Sequence, residues 1–309
     1  MKRILQTLRS HFAAVAELAR HAGRSRQALA HLQEALGRIE ARQMRALPGG
    51  GLGAHGFRVF SQWDEDGIIQ FLIHAVPIAQ RKFVEFGVQT YVESNTRFLL
   101  RNDNWSGLIL DGQQRYIDAI KADEISWQHD LTAVAAFITR ENINELLSTH
   151  GMSGEIGLLS IDIDGNDCWV WEAIDVVQPA IVIVEYNAHF GATRAVAVPY
   201  DPAFERRAAH HSCIYYGASL AALARVAEKK GYALVGCCGG GNNAFFIRND
   251  LLPATGLRAL AAGEAFVAAK FREARDAAGR LTLLTPAQEV EMLRGLPVVD
   301  LTTGGTVPF

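Results

Sequence analysis

Cysteine is scarce in this chain: four residues in 309, Cys168, Cys213, Cys237 and Cys238, with no CxxC spacing and two of them adjacent. That argues against a disulfide framework and against a thiolate metal knuckle, and a reduced, cytoplasmic setting is expected. No run of eighteen apolar residues occurs, so no transmembrane segment is expected. The opening MKRILQTLRSHF has neither the continuous apolar core nor the small-residue cleavage site of a signal peptide. Neither sign of charge dominates. A formal net charge of −3 with both signs interspersed is no nucleic-acid footprint, and no nucleic-acid partner is expected.

What remains is a chain that is 49% hydrophobic, enough for one sizeable core plus an appendage. Residues 1–47 lack proline and are rich in Ala, Leu, Arg, Gln and Glu, which predicts a helical extension. Leu5, Leu8, Phe12 and Val15 are spaced three, four, three, and the spacing recurs at Leu29, Leu32, Leu36 and Ile39 after a break around Gly23. Such a seam fits a short coiled coil or helical hairpin supporting a homo-oligomer, or a helix lying on its own domain. The stretch PGGGLGAHG (48–56) reads as a flexible linker, with a compact α/β domain over 57–309.

Within that domain, apolar runs alternate with helical segments. Strands are expected at 82–88, 106–112, 131–139, 157–164 and 179–187, and helices at 94–103, 113–125, 142–151 and 169–177. A further helix at 217–232 is followed by two strands around the turn GCCGGGNN (236–243). Continuous apolar strands separated by helices predict a Rossmann-like, doubly wound parallel sheet.

Ligands of such sheets gather at the carboxyl ends of the strands. Gly87 permits close backbone approach, and Thr90 and Asn95 lie in the loop that opens the next helix. The loop has one glycine, so the GxGxxG pyrophosphate cradle is missing. Asp111, at the end of the second strand, suits ribose hydroxyls. Together they point to a ligand with a ribose and no pyrophosphate, of which S-adenosylmethionine is the obvious one.

FVEFGVQTYVESNT, LILDG and LLSIDIDGNDCWVWEAI, in this order and spacing, resemble the class I S-adenosylmethionine-dependent methyltransferases, and among them the FkbM-like group with its D-x-[DE]-G pattern. The resemblance covers roughly residues 80–250. It implies a seven-stranded sheet with the last strand antiparallel, a cofactor pocket lined by Glu85, Gly87 and Asp111, and the loop from Thr139 to Asn142 near the adenine.

Asp162 and Asp164 alternate onto one side if the fourth strand runs through them. With Glu185 or Asn187 from the neighbouring tip they form an oxygen-rich set suited to Mg²⁺ or Mn²⁺. Alternatively one aspartate holds the cofactor's amino group and Asp167 caps the next helix. His189, just past the fifth strand in the long 188–217 segment, is the candidate general base, with Asp162 as the second catalytic candidate. Tyr186, Tyr215, Tyr216 and Asn243 are candidate contacts to a small-molecule or glycan acceptor. The leading expectation is O-methylation of a sugar hydroxyl, possible with metal assistance. Two others stand beside it: a glycosyltransferase using Asp162-Ile-Asp164 as a D-x-D motif, and a methyltransferase-like fold that only binds.

Overall fold

The computed structural model describes residues 2–46 and 50–309; the side chains of residues 2–10, 26 and 46 lie outside the description, Leu5 and Leu8 of the expected seam among them. Residues 47–49, the last of the expected helical extension and the first two of the expected linker, also fall outside it. The rest of that linker is packed, not free. Residues Leu52–His55 form a 3-10 turn whose Leu52 and His55 are buried, and His55 stacks on Phe71 with ring centroids 3.8 Å apart.

The chain opens with α1 (Lys2–Ala46) and α2 (Glu65–Ala75). Then β1 (Lys82–Phe86), α3 (Arg97–Asp103), β2 (Ser106–Asp111), α4 (Gln114–Ala122), the short α5 (Ile125–Gln128) and β3 (Leu131–Ala135) alternate. They are followed by α6 (Ile143–Thr149), β4 (Gly154–Ile161), α7 (Asp167–Ala173) and β5 (Val177–Glu185). Beyond β5 come β6 (Val196–Ala197), α8 (Arg206–Ala209), α9 (Leu220–Lys230), β7 (Tyr232–Cys237) and β8 (Asn243–Arg248). The remainder holds α10 (Ala262–Ala265), α11 (Pro286–Leu293), β9 (Pro297–Asp300) and β10 (Thr306–Pro308).

Seven strands form one sheet in the order β3-β2-β1-β4-β5-β8-β7. β1 to β5 pair in parallel, and β8 runs antiparallel to both neighbours. This is the Rossmann-like sheet with one reversed strand that the resemblance implied. Alternation along each strand feeds a core on either face. Val84, Phe86, Leu108, Leu110, Val182 and Val184 pack on one side, and Phe83, Ile109, Ile181 and Ile183 on the other. Burial on both faces explains why these strands read as continuous apolar runs. Trp171 closes one face against Phe246, centroids 4.8 Å apart, so it covers the sheet.

Helix α2 was not foreseen from the sequence. It begins within SQWDEDG (61–67), where Asp66 Oδ2 accepts hydrogen bonds from the backbone N–H groups of Val59, Phe60 and Ser61 at 2.6–2.7 Å. The 188–217 segment is not structureless either. Its β6 pairs with β9, and β9 with β10, making a three-stranded sheet over its own small core of Phe190, Val198, Ile214, Leu293 and Val298. Residues from 188–217 and from beyond 262 thus fold together as a cap above the strand tips.

Candidate functional site

A cavity of about 970 Å³ opens where the carboxyl ends of β1, β2, β4 and β5 meet the cap. At one end it is lined by Glu85, Gly87, Thr90, Asn95, Asp111 and Ile138, and at the other by Asp162, Asp164, Glu185, Arg206, Phe271 and Asn243.

Gly87 has a φ of +74°, and a Cβ there would sit 1.6 Å from the carbonyl oxygen of Asp162. Only glycine lets the β1 and β4 loops close on one another so tightly. Asp111 ends β2 and stays within the cavity. Its Oδ2 accepts from Gln89 N and its Oδ1 from Gln113 N, both at 2.8 Å, so each oxygen keeps a lone pair for a ligand hydroxyl. Glu85 is spent locally. Its oxygens accept from Asn95 N (2.8 Å), Thr96 N (3.0 Å) and Thr96 Oγ1 at the start of α3. Burial pushes its carboxyl up to about 7 despite those bonds. Asn95 donates to Ser160 Oγ at 3.1 Å.

Asn142 does not reach the cavity. Its amide instead braces the loop after β3, accepting from Thr139 N and donating to Phe137 O, so that Phe137 and Ile138 form the wall.

The fourth strand ends at Ile161, before the aspartates, so strand alternation is not what brings Asp162 and Asp164 together. A turn does. Asp164 adopts a left-handed φ of +59°, and the buried Asp167 ties the turn from inside, accepting from Ile163 N at 2.7 Å and Gly165 N at 2.9 Å. Asp167 therefore braces this loop and does not act as the cap of α7. Oxygens of Asp162, Asp164 and Glu185 lie within 4.8 Å of one another. Burial, then mutual repulsion, raises the Asp162 and Glu185 carboxyls well above the usual range. Glu185 is 8% exposed and its Oε2 has no hydrogen-bond partner. An all-oxygen donor set with one orphaned, buried carboxylate oxygen fits a hard divalent cation.

Asn187 cannot join that set. Its amide donates to Ile214 O and Tyr216 O at 2.8 and 2.9 Å, and its oxygen accepts from His189 N. His189 is likewise diverted. A 3-10 turn rotates it away from the cavity, where Nδ1 meets Asn187 Oδ1 at 2.9 Å and Nε2 meets Glu289 Oε2 of α11 at 3.1 Å. It pins the C-terminal helix to the β5 tip, so the expected general base is a structural latch. Tyr186 donates to Val267 O and Tyr215 to Pro297 O, both away from the cavity. Tyr216 lies behind Arg206 and donates to Glu273 Oε1 at 3.2 Å. Of the expected acceptor contacts only Asn243 lines the cavity, with Nδ2 held by Glu65 and Oδ1 unpartnered.

Three groups in the wall went unrecognised in the sequence. Arg206 enters from α8, donating to Asp164 Oδ1 at 2.7 Å and to Glu273, with its guanidinium carbon 3.9 Å from the centre of the Tyr216 ring. Burial alone would lower its basicity, but Tyr216, Glu273 and Asp164 outweigh that and keep it charged. Phe271 stacks on Trp63, and Gln62 accepts from Asn242 at 2.9 Å across the rim. The polar cluster 61–67 just ahead of an apolar helix was the available signal for Gln62. Arg206 gave none, since α8 is one turn long.

No protein-family model matches the chain, and no curated protein matches it. Among solved structures it is similar to the N-terminal domain of EvdMO1 with SAH bound, at 14% identity, over 68% of this chain and 94% of that one, with a TM-score of 0.39. It is similar to an O-methyltransferase from Bacillus cereus in complex with SAH, at 13% identity, over 69% and 89%, with a TM-score of 0.40. A fibrillarin pre-rRNA processing protein from Methanococcus jannaschii gives 8% identity, 66% and 86%, and 0.38. Identities this low and overlaps this loose assign neither family nor activity.

Proposed function

We propose that this chain is an S-adenosylmethionine-dependent O-methyltransferase acting on a hydroxyl of a small-molecule or glycan acceptor, a sugar hydroxyl above all, in line with the FkbM-like D-x-D-G turn. The observation that carries the proposal is one cavity with two chemically distinct ends. A glycine-permitted backbone approach and an Asp111 with lone pairs to spare lie at one end, and three converging carboxylates at the other. The first end suits a nucleoside whose ribose hydroxyls donate to Asp111. It has no glycine cradle for a pyrophosphate.

At the second end burial and mutual repulsion favour a proton shared between Asp162 and Glu185. When that proton is shed, the pair takes one from the acceptor hydroxyl as its oxygen bonds the methyl carbon and the sulfur–methyl bond breaks. In-line geometry supplies most of the acceleration, so the walls matter as much as the base. Mg²⁺ or Mn²⁺, if bound by Asp162, Asp164 and Glu185, would supply orientation and Lewis acidity to the acceptor. Phe271, Gln62 and Asn243 offer the mixed apolar and polar wall a sugar ring requires.

Calorimetric titration with S-adenosylhomocysteine tests the donor end. Micromolar binding weakened about 10–100-fold in Asp111→Ala is expected, the scale of losing two hydrogen bonds to a charged acceptor. Absence of such binding together with Mn²⁺-dependent binding of UDP would replace this proposal with the D-x-D glycosyltransferase.

A further inference from the structure

Helix α1 runs for 45 residues, about 68 Å at 1.5 Å per residue. Its C-terminal part docks on its own domain through Ala30, Glu34, Gly37, Ala41 and Met44, which are buried or half-buried. Gly37 lies so close that a Cβ would meet Val59 at 2.5 Å and Phe98 at 2.9 Å, and Glu34 pairs with Arg101 of α3. The docked face is thus made mostly of small residues, with Met44 and an ion pair.

The apolar face points the other way. Val15, Leu18, Ala22, Ser25, Leu29, Leu32, Leu36 and Ile39 follow an unbroken three–four spacing, and all are exposed. Val15, Leu18, Leu29, Leu32, Leu36 and Ile39 each show 50–69% of their surface. We infer that this seam pairs with the same seam of a second copy of this chain, as a two-stranded coiled coil.

Three observations choose that occupant. The repeat is 3.5 residues, the period of a helix wound on a helix. The flanking positions from residue 14 on, alanines with His21, Arg26, Gln33 and Glu40, carry no large apolar side chain, so the stripe of large apolar residues is narrow. A helix lying in a lipid surface carries a broader apolar arc. Area is the third. Covering a Leu-sized side chain removes roughly 60–120 Å² from water, so six seam residues from each chain remove on the order of 1,000 Å² in all, the lower bound of a specific interface. Residues 11–25 are all exposed, and an isolated helix of that length is marginal in water.

Light scattering of the full chain at tens of micromolar should give twice the mass of one chain. The double variant Leu29→Glu/Leu36→Glu should be monomeric, with a dimer dissociation constant raised about 100-fold or more. Its domain unfolding midpoint should not change, since both side chains are largely exposed. Arg24→Glu, off the seam, should remain dimeric. A monomeric wild-type chain overturns the inference, as does a particle of three or four chains. Sedimentation with phosphatidylserine vesicles that the double variant abolishes, in a chain that stays monomeric, overturns it too.

Discussion

Buried carboxylates dominate at the scale of single residues. Glu85 has a folded-state value of about 7 against an ordinary 4.5. Its protonated form is therefore favoured by folding. That contribution is fully present below pH 4.5 and is lost as pH rises through 7. At about 1.4 kcal/mol per unit the loss is roughly 3 kcal/mol. Urea unfolding between pH 5 and 8 should show stability falling with pH, and Glu85→Gln should flatten that slope; an unchanged slope would rule out Glu85 as its source. Glu185 belongs to the chemistry. Glu185→Gln is expected to cut methyl transfer about 100-fold or more, the range of a lost proton acceptor, while S-adenosylhomocysteine affinity stays within about threefold. Single-turnover rates beside calorimetry separate the two effects.

Among the elements, α8 is a single turn with no buried residue. Its hold on the acidic turn is the Arg206–Asp164 contact, with Glu273 behind it. Arg206→Gln removes a resident cation, so Mn²⁺ affinity should rise about tenfold, and residues 199–216 should become sensitive to protease. Titration calorimetry and a timed digest read both, and unchanged values in each would mean that Arg206 holds nothing shut. The turn between β1 and α3 is the opposite case. Gly87→Ala places a methyl group on the Asp162 carbonyl, and a loss of about 3 kcal/mol or an opened cavity is expected. A thermal midpoint within 1–2 °C of wild type would show that the two loops can part freely.

For the whole molecule, the sheet was legible and the cap was not. Strand cores such as Leu108–Leu110 and Ile181–Val184 announce themselves because burial on both faces demands unbroken apolar runs. Strand ends slipped where apolar residues continue past the last ladder bond, as at Ile163 or Phe137, which line the cavity instead. The cap depends on pairings across 100 residues of sequence or more, Ala197 with Val299 and His189 with Glu289, each between segments too short to carry a period. That is also why His189 and Asn187, correctly near a strand tip in sequence, face the wrong way. Asp111 and Asp162 were placed beside the cavity because strand tips are legible once strands are.

The division between sheet and cap also orders events in time. On a ribosome the chain emerges from its N-terminus, so the seven-stranded sheet, with the Gly87 and Asp111 end of the cavity, is complete once β8 has cleared the exit. The opposite wall waits for α11 and β9, whose Glu289 and Val299 lock the segment after β5 in place. For the synthesis of some fifty further residues the nascent protein is a half-built vessel, open on the side where an acceptor would sit.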